Sequence, residues 1–167
     1  MRPSDDIGGE PRKAERLQQN AHEWDKGKAG ERMVAAALDA LPHDYRVYHH
    51  VGLPGTKEAL DHVVVGPCGV VAINDTYVDG DLQHGSGTLW RGKVPIRRET
   101  ENVRWEADVL STALQQPVDA VLCCAEATLP EPVVTLDRTA VVSLDALTGH
   151  IITKPAKFDA DAIAVVA

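Results

Sequence analysis

An α/β domain, with a mixed central sheet covered by helices on both faces, is the fold class this sequence predicts. Three observations predict it. The runs at 60–65, 69–73 and 118–124 are almost wholly apolar, as strands covered on both faces are. Ile96, Thr100, Val103, Ala107, Leu110 and Leu114 recur at intervals of four and three, one stripe on a helix of about 18 residues. Aromatic residues are only 4% of the 167-residue chain against 44% hydrophobic overall, so the core is built from Val, Ala, Leu and Ile. That size of core suits one domain rather than two.

The elements follow in order. Residues 1–22 carry Pro3, Gly8, Gly9 and Pro11 among charged residues and read as a flexible polar tail, with helical character from Lys13 onward. Residues 23–167 form the domain. Its first helix spans 27–41, with Val34, Leu38 and Leu41 on the buried stripe, Met33 and Ala37 widening it, and Pro42 ending it. A strand at 45–51 places Val47 and His49 on one face, Tyr48 and His50 on the other. Leu53-Pro54-Gly55-Thr56 is a turn. The short link Gly66-Pro67-Cys68 makes the strands at 60–65 and 69–73 an antiparallel hairpin. A second hairpin at 88–94 turns near Gly92. The long helix then leads to the strand at 118–124, a crossover that favours parallel pairing. A strand at 139–142 follows. Ser143 caps a short helix ending at Gly149, and Asp159 caps a last one at 160–166.

Charge and cysteine content narrow the function classes. The net charge of −8 repels nucleic acid at a distance, so any such contact needs a local basic patch. Arg91, Lys93, Arg97, Arg98 and Arg104 supply one, outnumbering Glu99 and Glu101, with Trp90 and Trp105 among them. Such a surface grips a phosphate backbone and stacks a base; a solvated helix face beside core tryptophans is the competing account. Cys68, Cys123 and Cys124 are odd in number, sit in apolar surroundings and lack a Cys-x-x-Cys pair, so neither a disulfide framework nor a zinc ribbon is expected. No apolar run reaches the roughly 20 residues that span a bilayer. The polar N-terminus is not a signal peptide. The expectation is a cytoplasmic protein with no membrane partner and no small-molecule cofactor.

Two carboxylates draw notice. Glu31, near the start of its helix, shares the stripe of Val34 and Leu38, which aims it at the sheet; favourable interaction with the helix dipole is the simpler role. Asp61 opens the apolar run His62-Val63-Val64-Val65, either as a turn residue or as an acid at a strand mouth, where hard cations are held by oxygen. His62 points to the opposite face and reads as a packing or hydrogen-bonding histidine. His49 and His50 point apart, so they do not hold one ion together.

The stretches Gly27-Lys28-Ala29-Gly30-Glu31-Arg32, Leu53-Pro54-Gly55, Leu60-Asp61-His62-Val63-Val64-Val65-Gly66-Pro67 and Gly69-Val70-Val71-Ala72-Ile73 resemble the nuclease-related domain (NERD) family. So does Gly87-Thr88-Leu89-Trp90-Arg91-Gly92 before the long helix, and the resemblance runs from about Trp24 to the C-terminus. It implies a restriction-endonuclease-like core of the PD-(D/E)xK superfamily. There an acid from the first helix, an acid on one strand and an acid-x-lysine pair on the next surround Mg²⁺ and ready a water for attack on a phosphate. Glu31 and Asp61 match the first two catalytic and metal-binding positions. Asn74 stands where the third acid belongs and Thr76 where the lysine belongs, so two of the four positions are neutral. Asp75 is a further metal-ligand candidate, one residue out of phase, which faces away unless a bulge re-aims it. Asp79 and Asp81 lie just beyond, and Lys28, Lys57 or Lys93 are candidates to replace the lysine. Mg²⁺ binding is expected to be weak or absent. The expected function is a nucleic-acid-associated domain with a degenerate nuclease site. An active Mg²⁺-dependent DNA endonuclease with rearranged residues and a protein-interaction module remain as alternatives.

Overall fold

A computed structural model describes residues 10–167, and within the first helix it describes side chains at 14–16, at 18 and from Gly27 onward. Expectations for residues 1–9 lie outside the described residues. The chain runs α1 (Glu10–Asp39), β1 (Arg46–Gly52), β2 (Ala59–Gly66), β3 (Gly69–Thr76), β4 (Gly80–Asp81), β5 (Gln83–Gly85), β6 (Thr88–Arg91) and β7 (Val94–Pro95). It continues with α2 (Arg97–Leu114), β8 (Val118–Cys124), β9 (Ala127–Thr128), β10 (Val133–Leu136), β11 (Thr139–Ser143), α3 (Leu144–Ile152) and α4 (Ala160–Val166). Helix thus begins at Glu10, before the Lys13 and Gly27 starts read from the sequence. No described helix is long and apolar enough to cross a membrane.

Six strands form the central sheet in the order β1-β2-β3-β8-β11-β10. The first three pair antiparallel, β3, β8 and β11 pair parallel, and β10 returns antiparallel, so the sheet is mixed as expected. The crossover through α2 explains the parallel step from β3 to β8. Alternation along the strands divides the core into two layers. Val64, Val71, Ile73, Val121 and Cys123 pack under Val34 and Leu38 of α1 and Leu147 and Ile151 of α3. Val63, Ala72, Leu122 and Cys124 pack under Val103, Ala107 and Leu110 of α2, with Ile163 of α4. The neighbours Cys123 and Cys124 therefore belong to different layers, and burial pushes both thiols up to about 12.

Local chemistry sets the element ends. The buried stripe of α1 is narrower than the spacing suggested: Val34 and Leu38 are fully buried while Met33 is exposed. Gln115, in the left-handed region at φ 54°, closes α2 with its N–H on the Ser111 carbonyl. Gly149 does not end α3. The helix continues to Ile152 because Ile151, four residues after Leu147, extends the buried stripe and outweighs the glycine. Asp159 caps α4 by accepting the Ala162 N–H at 2.8 Å. The hairpin of β6 and β7 turns at Gly92 (φ 60°), and β5 adds a third strand that the sequence reading missed.

Candidate functional site at the mouth of β2 and β3

Leu60 and Val64 have equal parity and would share a face on a regular strand. They do not: Val64 packs in the α1 layer and Leu60 in the α2 layer, and Val47 and Val51 of β1 divide the same way. The ribbon rolls over between them, where His50 adopts φ 55°. The β1–β2 ladder steps from His49↔His62 to Val51↔Leu60, and the β2–β3 ladder begins only at His62↔Ile73. Asp61 sits at this splay, so side chains replace backbone pairing around it.

Its backbone N–H donates to Asn74 Oδ1 at 3.1 Å, and its Oδ2 accepts the Asp75 backbone N–H at 3.0 Å. The amide of Asn74 in turn donates to Oε2 of Glu106, a buried acid on α2. Asn74 is thus engaged at both ends, bridging β2 to α2. Burial raises the pKa of Glu106, partly offset by the Asn74 bond, and nearby Glu58 raises it further. The sequence reading missed Glu106. Its signal was its place three residues after Val103, an acid on the buried face of α2.

Asp75 does not turn away from Asp61, as strict alternation predicted. The two residues meet at the splay, where the Asp75 N–H is held by Asp61 Oδ2, and their carboxyls lie close enough to perturb each other's ionisation. Burial drives the Asp61 carboxyl up to about 8, reinforced by Asp75 and, more weakly, by the charge of Glu31. Burial also acts to raise Asp75, but the neighbouring His62 and Asp61 side chains outweigh it and hold the group below its ordinary value. His62 is buried and faces Asp75 Oδ2 from its Nε2 at 3.8 Å. Its Nδ1 lies 2.8 Å from Nδ1 of His49, whose Nε2 lies 2.9 Å from Asp39 Oδ1. Glu31 approaches His50 Nδ1 at 3.9 Å.

Two clefts lie beside α1 from Gly27 onward. One, about 270 Å³, is lined by Gly27, Gly30, Asp75, Thr76, Tyr77 and Glu126. The other, about 320 Å³, includes Lys28, Glu31, His49, His50 and His62 in its wall. Of the expected site residues, then, the fold gathers Asp61 with Asp75, places Glu31 and Lys28 in one cleft, and puts Thr76 in the other. Asn74 turns to α2. Asp79 pairs with Arg91 at 2.8 Å on the three-stranded wing, and Lys57, Asp81 and Lys93 are exposed.

A hard ion needs several oxygens converging on one point. Among the described residues no group of three His, Cys, Asp or Glu is so arranged. The Asn74 carbonyl accepts the Asp61 N–H and carries no charge to hold such an ion. Glu31, Asp61, Asn74 and Thr76 therefore do not fit Mg²⁺.

A mixed sheet covered on both faces, with an acid at the β2–β3 splay and another presented from the first helix, defines a nuclease-related domain of restriction-endonuclease-like architecture. The sequence model of the nuclease-related domain matches residues 26–129, and the chain belongs to that family. No curated protein and no solved structure matches the chain.

Proposed function

We propose that this domain binds nucleic acid without cutting it, its hard-metal nuclease site having been dismantled. One observation carries the reading: Asn74, at the position of the third acid, bridges the Asp61 N–H and the Glu106 carboxylate, and Thr76 supplies no cation. Charge neutralisation and water activation both lack their residue.

Support for nucleic-acid contact comes from the exposed run Lys93, Arg97 and Arg98, at the β6–β7 turn and the first turn of α2. A helix N-terminus beside exposed guanidinium groups suits a phosphate. Trp105, 49% exposed on the same helix, offers a stacking face. Arg91 and Arg104 contribute less, being paired with Asp79 and Asp137. A second reading, an active nuclease with Asp75 and Lys28 standing in for the missing pair, draws on the contact of Asp75 with Asp61 and the place of Lys28 beside Glu31.

The test is incubation of the purified chain with plasmid and single-stranded DNA in Mg²⁺ and in Mn²⁺, beside Glu31→Ala/Asp61→Ala, followed by salt-dependent mobility shifts. Binding without cleavage is the expected result. Cleavage abolished in the double variant establishes the second reading. Absence of any shift at low salt leaves a protein-interaction module.

A further inference from the structure

Trp90 and Trp105 are used differently. Trp90 is committed to the fold: its Nε1 donates to the Gly85 carbonyl at 2.7 Å, and its ring lies so close over Gly85 that a Cβ there would fall 3.1 Å from it. Trp105 sits in the middle of α2 and is 49% exposed. The buried stripe of α2 runs through Thr100, Val103, Ala107 and Leu110, and Trp105 stands on the opposite side of the helix. Arg98 precedes it by seven residues, nearly two full turns, so guanidinium and indole share one outward line, with their Cα atoms about 10 Å apart along the axis. Arg97 is beside Arg98 on the same turn, and Lys93 lies on the hairpin just before it; all three cations are exposed. Glu101 and Asn102, also exposed, flank the line on its two sides.

Building on the nucleic-acid reading above, we propose that the partner is a single strand. Arg98, with Arg97 and Lys93, takes backbone phosphates, and the Trp105 ring takes the face of an unpaired base. In a duplex the base faces are covered by their neighbours and only edges reach the grooves, so an indole face has nothing to stack on. In a single strand every base has an open π-face, and stacking on an aromatic ring tolerates any sequence. Charge favours the same partner. A helix laid along a duplex groove would bring the exposed acids Glu101 and Asp108 towards phosphates on its walls, on a chain whose net charge is already −8. A flexible single strand can follow the narrow line from Arg98 to Trp105 and keep its phosphates off those acids.

The experiment is fluorescence anisotropy of the full chain at low salt with three labelled probes: a dT oligomer of about 15 nucleotides, a hairpin duplex, and an abasic backbone of the same length and charge as the oligomer. The dT oligomer should bind at least tenfold tighter than either of the others. Trp105→Ala should lose about tenfold on dT with its salt slope kept, and Trp105→Phe should retain most of the affinity. Arg98→Gln should lower the salt slope by about 0.7. Thr112→Ala, further along the same exposed side of α2, should change nothing. A duplex or abasic probe that binds as tightly as dT, or dT binding indifferent to Trp105→Ala, overturns the proposal. If Trp105→Ala does not fold, the comparison of dT with the abasic probe on the unaltered chain decides. Duplex binding alone leaves the nucleic-acid reading standing and overturns this one; binding to none of the three overturns both.

Discussion

Asn74 holds a position where a second carboxylate would meet Glu106 at hydrogen-bond range. Asn74→Glu in EDTA should destabilise the fold by about 2–4 kcal/mol, because two like charges would share a buried site. Adding Glu106→Gln should restore most of that loss, and urea unfolding of the single and double variants reads the coupling. Asp61 yields a pH prediction. Its folded pKa of about 8 lies above the ordinary 3.8, so the native state holds its proton more tightly than the unfolded chain does. The stabilisation is complete below about pH 4 and is lost as pH rises towards 8. In metal-free buffer Asp61→Asn should flatten that slope, raising stability near pH 8 by about 2–3 kcal/mol relative to the unaltered chain, less than full linkage because the carboxyl keeps some solvent. An unchanged slope in the variant would assign the titration elsewhere. That Asn74 and Thr76 are neutral is plain from the sequence, because it is a matter of residue identity. Glu106 and the His49–His62 contact were not legible there, since partners across a sheet depend on register and on the roll at His50.

Elements were legible where their pattern was long. The α2 stripe appeared as its spacing indicated, and Val103→Ala should cost about 2 kcal/mol by leaving a cavity against the sheet, measurable by chemical denaturation. The hairpin β2–β3 was legible from its apolar runs. It also carries a constraint no pattern revealed: a Cβ at Gly66 would fall 2.4 Å from the Tyr45 ring, a contact that cannot persist. Gly66→Ala should destabilise by about 1–3 kcal/mol, and Tyr45→Ala/Gly66→Ala should cost less than the sum of the two single changes. Short strands escaped detection. β10 and β5 span four and three residues, too few for alternation to stand out, and exist because neighbouring strands supply their ladders.

At the scale of the molecule, the net charge of −8 sets the terms for any polyanion partner. Attraction must come from the small exposed patch at 93–98, so Arg97→Glu/Arg98→Glu should abolish a DNA shift at low salt while leaving the urea midpoint unchanged; a shift that persists would place contact elsewhere. The fold class was legible because apolar runs and one long stripe admit few layered arrangements. The pairing of the two halves has a consequence of its own. Cys123 and Cys124 are adjacent in sequence yet seated beneath opposite slabs of helix, each fully enclosed. They form a built-in pair of clocks. A thiol reagent should modify both at one common rate if the slabs lift together, and at two rates if one peels away first, so mass spectrometry of single-cysteine variants would time the breathing of each side of the sheet.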